Sequence, residues 1–341
     1  MIWSPSRRAF IQAGGAALVI AGARRTAMAQ AIPASPESGS IKMGIEPWLG
    51  YGQWHIAAKQ GLFKKAGLDS VEIVNFTADA DINAALAAGQ LQCGNIATHT
   101  AMNFIAAGLP LKIVALLDVS KTADAMISDG SVTAIKDLKG KQVATTRGTT
   151  AHNILHQALK SVGLDSTKDV EIVNQRMSEA VTSFIAGAVP AVALWVPFNI
   201  AVKTKAPKAK LITDAGSFPS ATIVDGWAAR NDLYEKNKET LKKIIRAWVP
   251  ANDYLLAKPE EALTLLHKKY YQHLSMDDMW EMYKAAKWFP SAEWRKHYQD
   301  GSAVKWLNQV TNFNVEVGAI QNPMMADKYF DPSLFVEVTA K

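Results

Sequence analysis

The chain has 341 residues, with 37 Lys and Arg against 31 Asp and Glu, and a formal net charge of +6. A chain of this length exceeds what one hydrophobic core usually holds, so two domains or lobes are expected. All four charged residues among the first 29 are arginines, and without that segment the net charge is +2 (33 basic against 31 acidic residues). This near-neutral balance gives no electrostatic case for nucleic acid binding, which needs a clustered basic face.

The N-terminus has the composition of an export signal. Arg7 and Arg8 precede an apolar run over residues 13–23, and the small residues Ala27-Met28-Ala29 follow. The run is too short and too rich in Ala and Gly for a stable transmembrane helix. We therefore predict a twin-arginine signal peptide over residues 1–29, with a buried N-terminal helix as the alternative.

Removal of this signal predicts a mature periplasmic protein that begins at Gln30. Residues 30–40 contain Pro33 and Pro36 and are predicted to be a flexible leader. The single cysteine, Cys93, excludes an internal disulfide and a metal cluster built from cysteines.

After the leader, strand and helix patterns alternate, as is typical of a layered α/β protein with mainly parallel sheets. The first half-sheet is predicted as strands 41–46, 71–76, 92–97 and 111–118, with helices 51–66, 81–88 and one that begins near Thr98. The second is predicted as strands 142–146, 170–174, 191–195 and 210–213, with helices 149–162 and 178–186. Two half-sheets in tandem predict two lobes that face a cleft, and one large doubly wound sheet is the alternative.

The C-terminal third changes to long amphipathic, charge-rich segments, predicted as helices 231–256, 259–271, 276–287 and 303–317. Its tryptophans are interpreted as packing anchors rather than as a ligand cage. They include Trp248, Trp280, Trp288, Trp294 and Trp306.

Three strand-to-helix turns, at residues 47–52, 97–100 and 145–152, are candidate ligand contacts, because ligands of open α/β sheets bind beyond the carboxyl ends of the strands. The candidates in these turns are Trp48, Tyr51, Thr98, His99, Thr149, Thr150 and Ala151. Free N–H groups at a helix start suit an anionic or strongly polar head group. Helix capping by the threonines is the alternative.

Metal binding and catalysis have weak support in the sequence. His99 and His152 have no carboxylate or second histidine at ligand spacing, so no metal is predicted. Cys93 lies within an apolar strand, where a buried, inert thiol is expected rather than a nucleophile. No phosphate-binding glycine motif or other cofactor motif is present.

Several blocks, in order, resemble the nitrate, taurine and aliphatic sulfonate solute-binding family. Residues 46–63 (EPWLGYGQWHIAAKQGLF) are similar to its opening segment. Residues 84–91 (AALAAGQL) with 96–101 (IATHTA) resemble the next block, and 137–144 (DLKGKQVA) with 148–151 (GTTA) resemble the entry to its second lobe.

This resemblance implies a type II periplasmic binding protein fold with two α/β lobes that enclose a ligand as they close. Residues 41–122 and 222–341 would form one lobe and 123–221 the other, with hinge crossings near 119–124 and 221–230. It also implies a monomeric protein without cofactors that works with the permease and ATPase subunits of an ABC importer.

One departure from the family concerns the ligand. The family often has an acidic residue after the tryptophan that corresponds to Trp195, where this chain has Val196. The departure weakens the case for an amine-bearing ligand such as taurine unless another carboxylate takes its place. The candidates for that carboxylate are Asp118, Asp124 and Asp225. The candidates for aromatic walls are Trp48, Tyr51, Trp195 and Phe198.

The sequence therefore predicts a binding protein that captures a small polar or anionic solute of the sulfonate or nitrate class. An enzyme on the same fold, acting on a pyrimidine precursor or a sulfinate, is the alternative. In the sulfinate case a cysteine would be the nucleophile, and Cys93 is the only one. An adhesion module would require repeats, which the sequence lacks.

Overall fold

The computed structural model describes residues 40–219 and 222–340. The predicted signal peptide and its cleavage site lie outside the described residues. So does the predicted leader apart from Ser40, which begins the first strand.

The first of two sheets has six strands in the order β11-β4-β10-β3-β1-β2. They are β1 (Ser40–Ile45), β2 (Ser70–Asn75), β3 (Cys93–Ala97), β4 (Leu111–Ser120), β10 (Val224–Arg230) and β11 (Ala286–Lys287). Strand β1 pairs in parallel with β2 and β3, whereas β10 runs antiparallel between β3 and β4.

The second sheet has five strands in the order β7-β6-β8-β5-β9. They are β5 (Asp124–Ser128), β6 (Gln142–Thr145), β7 (Glu171–Asn174), β8 (Ala191–Trp195) and β9 (Lys210–Asp214). Strand β6 is parallel to β7 and β8, and β5 is antiparallel to β8 and β9.

The described residues thus form two sheets rather than one large sheet, but the expectation of mainly parallel sheets was wrong. Both sheets are mixed, because each contains a central strand that comes directly from a crossing segment. The crossing predicted near 221–230 is mostly strand β10, and β5 begins at the end of the other crossing. Strand β5 was not predicted as a strand.

Fifteen α-helices of the described residues connect and cover these sheets. They are α1 (Gly52–Lys59), α2 (Leu62–Lys65), α3 (Asp79–Ala87), α4 (Thr98–Ala106), α5 (Thr150–Ser161), α6 (Met177–Ile185), α7 (Phe198–Lys205), α8 (Asn231–Lys236), α9 (Lys238–Ala257), α10 (Pro259–Lys269), α11 (Met276–Ala285), α12 (Ser291–Gln299), α13 (Ser302–Glu316), α14 (Ala326–Tyr329) and α15 (Ser333–Val338). None of them is both long enough and apolar enough to cross a lipid bilayer.

Three predicted helices were too long. The helix predicted over 51–66 is divided at Gly61, whose φ of +66° lies in the left-handed region that glycine adopts without strain. The helix predicted over 231–256 is divided at Asn237, which has φ −134° and ψ 45°. The helix predicted over 276–287 ends at Ala285, because the next two residues pair with β4.

Each sheet has its own hydrophobic core. The larger core packs the first sheet against the C-terminal helices and includes Trp54, whose ring centroid lies 5.5 Å from that of Trp227 and 6.4 Å from that of Trp248. The five C-terminal tryptophans named from the sequence all lie in this core or pack against it, as predicted. The second core lies between the second sheet and helices that include α5 and α6.

Tyr298 on α12 satisfies backbone groups of β4. The Leu116 N–H donates to the Tyr298 hydroxyl at 2.7 Å, and that hydroxyl donates to the Leu116 carbonyl at 3.2 Å. Both residues are buried. The contact therefore joins the C-terminal helices to the long central strand.

We expect Tyr298→Phe to lower the free energy of unfolding by about 1–3 kcal/mol, because it leaves a buried N–H and carbonyl without partners. Urea titration measures the change. The control is Tyr254→Phe, which removes an exposed hydrogen bond to Glu261 and should change stability by no more than about 0.5 kcal/mol. Equal effects of the two variants would contradict this role for Tyr298.

Candidate functional site

A cavity lies where the carboxyl ends of β1, β3, β4 and β8 approach the first residues of β5 and β10. The space free of protein atoms is about 460 Å³, its open mouth included. The lining residues come from both sheets and their connections. They are Glu46, Trp48, Tyr51, Asp79, Ala97, Asp118, Ser120, Ala123, Asp124, Thr149, Thr150, Trp195, Val196, Ile223 and Asp225.

The structure brings together most of the site residues predicted from the sequence. The predicted residues that line the cavity are Trp48, Tyr51, Asp118, Thr149, Thr150, Trp195 and Asp225. Phe198 lines a smaller adjoining cavity of about 230 Å³, which it shares with Trp48 and Trp195. The aromatic side chains therefore form one continuous wall across the two cavities.

The other predicted residues lie away from the cavity. Thr98 is buried and its hydroxyl donates to the Val224 carbonyl at 2.8 Å. Ala151 is buried in the second core. The hydroxyl of Thr149, although at the cavity, donates to the Thr146 carbonyl at 2.7 Å. Two of the three threonine hydroxyls predicted to donate to an anion, those of Thr98 and Thr149, thus already donate to carbonyl groups within the protein. The third, that of Thr150, interacts with the Asp124 carboxyl and lowers its pKa.

Five carboxyl groups line the cavity, and two of them, Glu46 and Asp79, were missed in the sequence. Glu46 directly follows β1, and Asp79 is the first residue of α3. Their positions at a strand end and a helix start were the available signal. None of the described lining residues is Lys, Arg or His. Within the described part of the chain, no three His, Cys, Asp or Glu side chains are placed so that they could hold a metal ion.

Burial dominates the electrostatics of these acids. It raises the pKa of Asp118 to about 7 and the pKa values of Asp79 and Asp124 to about 6, because a low-dielectric site disfavours the charged form. It also raises the pKa values of Glu46 and Asp225 well above their usual range, and neighbouring carboxylates add to both shifts. The cavity is therefore acidic, and several of its carboxyl groups titrate close to neutral pH.

The acids are fixed by the sheet register and by one tight turn. Asp118 and Asp225 are direct partners across β4 and β10, an arrangement that like charges disfavour. Trp48 Nε1 donates to Asp118 Oδ2 at 3.3 Å. A Cβ at Gly50 would lie 1.9 Å from that oxygen and 2.2 Å from Trp48 Nε1, so glycine is required for this contact.

His99 belongs to a second buried cluster, next to α5. The rings of His99, His152 and His156 surround Phe313 on α13 at centroid distances of 5.5, 5.4 and 5.7 Å. Within the described part of the chain, neither ring nitrogen of His99 has a hydrogen-bond partner. Burial lowers the pKa values of His99 and His152 to about 3, so both rings are neutral in the folded protein.

The comparisons with known proteins assign the family. A family model described as NMT1/THI5 like matches residues 52–262, more than half of the chain. The chain belongs to the NMT1/THI5-like family. The relationship to solute-binding proteins inferred from the sequence blocks is thereby confirmed.

Several relatives and structural neighbours of this NMT1/THI5-like chain are named as binding proteins. A putative binding protein of Brucella abortus (strain 2308) is 28% identical over 276 residues, which cover 81% of this chain and 84% of the relative. The taurine-binding periplasmic protein of Escherichia coli K12 is 26% identical over 208 residues, covering 60% and 63%. The alkanesulfonate-binding protein SsuA of Xanthomonas axonopodis pv. citri, solved with MOPS, superposes with a TM-score of 0.72 at 16% identity and covers 87% of this chain and 99% of its own. That superposition confirms the predicted periplasmic binding protein fold.

The histidine cluster predicts how acid acts on this fold. The pKa of His99 is about 3 when folded and roughly 6.5 when unfolded, so between these values the unfolded chain binds more protons. The contribution of His99 to stability is thus fully present above about pH 6.5 and is lost as pH falls. We expect His99→Leu to flatten this dependence, with a gain of about 2 kcal/mol relative to the parent between pH 7.5 and 4.5.

Urea titrations at the two pH values measure this gain. His273→Leu is the control, because His273 is exposed and its loss should leave the pH dependence as in the parent. An identical pH dependence for the parent and His99→Leu would contradict the role of buried His99.

Proposed function

We propose that the chain is the solute-binding protein of an ABC importer, which captures a small polar solute between two lobes and delivers it to the permease and ATPase subunits. The main support for this proposal is that the residues lining the cavity come from the segments of both sheets. Asp118 and Tyr51 come from the part of the chain that forms the first sheet, whereas Thr150 and Trp195 come from the part that forms the second. A solute bound there contacts both parts, so binding favours a closed arrangement.

The proposed lobes are residues 41–122 with 222–341, and residues 123–221. The strands divide between the two sheets along the same boundaries. The two crossings lie side by side, since the Ser120 N–H donates to the Ile223 carbonyl at 2.9 Å. Both crossings also contribute to the cavity, so a hinge motion there would open and close the site itself.

The proposed location is the periplasm, which relatives named as periplasmic proteins support. The twin-arginine signal, cleavage before Gln30 and a monomeric state remain proposals from the sequence. The names of relatives and neighbours make taurine, alkanesulfonates and nitrate the first solutes to test.

The proposal is for binding without turnover. Cys93, the nucleophile that the enzymatic alternative would use, is completely buried in β3 and does not line the cavity. Burial raises the pKa of its thiol to about 12, whereas a nucleophilic cysteine needs a lowered pKa. Ser120 has no histidine beside it among the described lining residues that could activate its hydroxyl as a nucleophile.

A solute screen tests this function. We expect at least one small polar solute to raise the melting temperature, since a ligand at about 100 times its Kd adds about 2.7 kcal/mol. Small-angle scattering should show compaction, and mass spectrometry should recover the solute unchanged. Trp195→Ala should weaken binding roughly tenfold or more, whereas the control Trp280→Ala, outside the cavity, should not. Conversion of the solute, or binding without compaction, would refute the proposed role.

Export is tested separately on the full chain. We expect Arg7→Lys combined with Arg8→Lys to leave the protein in the cytoplasm as an uncleaved precursor, because the arginine pair is the feature that this export route reads. Fractionation with N-terminal sequencing of the product gives the result. Arg24→Lys with Arg25→Lys is the matched control and should be exported. Normal periplasmic recovery of the first double variant would rule out twin-arginine targeting.

A further inference from the structure

We propose that the solute captured here is a small organic cation, with an ammonium or equivalent charged nitrogen seated among Asp118, Asp124 and Asp225. This inference rests on the proposed binding function and names its ligand class. The lining contains five carboxyl groups and, among the described residues, no basic side chain. Each of these carboxyl groups that is ionised repels an anion and attracts a cation, and no basic side chain among the described lining residues offsets it.

The unpaired acceptor at the cavity is the second observation that points to a donor. Asp124 is 3% exposed, and among the described residues no group forms a hydrogen bond with its Oδ1 atom, although the nearby Thr150 and Ser120 hydroxyls lower the pKa of this carboxyl. Buried polar atoms in folded proteins almost always have partners. An ammonium group in the cavity supplies the missing N–H donors and compensates the buried charge at the same time.

The pairing of Asp118 with Asp225 supports the same ligand. These carboxyls face each other across β4 and β10 without a basic residue between them. Among the described side chains, the donor to Asp118 is the neutral indole of Trp48. A cation placed between the two strands converts a repulsive pair into a binding site.

The aromatic wall suits a cation with an attached apolar part. Indole and phenol faces attract cations, and Trp48, Trp195 and Tyr51 all line the cavity. The adjoining smaller cavity, which contains Phe198, continues from the two tryptophans. The cation would therefore bind at the acids, with a short apolar group directed toward Phe198.

The helix starts do not offset this charge. The positive ends of α3, α4 and α5 lie at the cavity, and each corresponds to only about half a unit charge. Thr149 already donates its hydroxyl hydrogen within the protein. About one and a half positive charges against five carboxyl groups leave the site attractive to cations once the carboxyls ionise.

Cation binding will expel protons. The titratable groups that face the three aspartates are Glu46, Asp79 and Tyr51, with Asp81 behind them in an ion pair with Arg176. The pKa of Asp118 is about 7 and the pKa values of Glu46 and Asp225 are raised well above their usual range, so these carboxyls are at least partly protonated when the site is empty at neutral pH. A cation favours their ionised forms, so affinity must rise as pH rises.

The experiment compares probes of one shape and different charge: propylammonium, propane-1-sulfonate and 3-aminopropane-1-sulfonate, with benzylammonium for the apolar part. Calorimetry and thermal shift are run at about pH 6 and pH 8. We expect the ammonium probes to bind, the sulfonate to fail, and ammonium affinity to be roughly tenfold higher at the upper pH.

The variants are Asp118→Asn and Asp225→Asn, with Asp124→Asn in reserve should either fail to fold. Each should weaken ammonium binding roughly tenfold or more while raising the melting temperature of the empty protein at the upper pH, because a buried like charge is removed. A merely structural aspartate would lower that temperature. The control Asp277→Asn is exposed on α11 and should change neither.

The outcomes separate this inference from the proposed function. Tighter binding of the sulfonate than of the ammonium probes, or no stabilisation by any ammonium probe at millimolar concentration, would overturn the cation. Compaction on sulfonate binding would leave the solute-binding function standing. Ammonium binding without compaction would support the cation and contradict capture between two lobes.

Discussion

Strand β10 lies between β3 and β4 and runs antiparallel to both, and the site depends on that insertion. The strand returns from the second half of the chain and completes the six-stranded sheet. The first residue of β10, Val224, is held beside the cavity by the Thr98 hydroxyl, which donates to the Val224 carbonyl. The same register places Asp225 opposite both Ala97 and Asp118, at the cavity wall. The geometry of the acidic site is thus set by backbone pairing in the core.

The buried carboxyls and the buried histidines act on stability in opposite directions. Raised carboxyl pKa values mean that the folded chain binds more protons than the unfolded chain between about pH 4 and 7, so their contribution falls as pH rises. Lowered histidine pKa values make stability fall as pH decreases below about 6.5. The buried histidines therefore lower the stability of the empty protein at acid pH, and the buried carboxyls lower it as pH rises. The proposed cation would offset only the effect of the carboxyls.

Much of the scaffold was predictable because it depends on local pattern. The strands around Met43 and Val143 and the helix starts near Thr98 and Thr150 follow from alternation and from turn residues. Strand β5 was missed because its five residues are all buried yet begin with Asp124, so their pattern shows no alternation. The division at Gly61 depended on a left-handed conformation that helical periodicity does not reveal.

The candidate site was only partly predictable, since its character depends on convergence in three dimensions. Glu46 and Asp79 are single acids next to ordinary elements, and only the fold places them on one cavity with Asp124. His99 was a reasonable candidate because it lies on one of the three strand-to-helix turns. Its ring instead packs against Phe313, which comes more than 200 residues later in the sequence. Long-range packing of this kind leaves no local signal.

The residues shared with the family blocks shape the main chain around the cavity, whereas the charge of the cavity comes from its acidic side chains. The blocks around Gly50, Thr98 and Thr149 hold main chain and internal hydrogen bonds: glycine admits the Trp48–Asp118 contact, and both threonine hydroxyls donate to carbonyl groups. The charge of the cavity comes instead from the five carboxyl side chains that line it. Substitution of these carboxyls by neutral residues would remove the negative charge of the cavity while the internal hydrogen bonds of Thr98 and Thr149 remain. On the proposed function, the scaffold that the family model matches would enclose a solute, and the acids would select its charge.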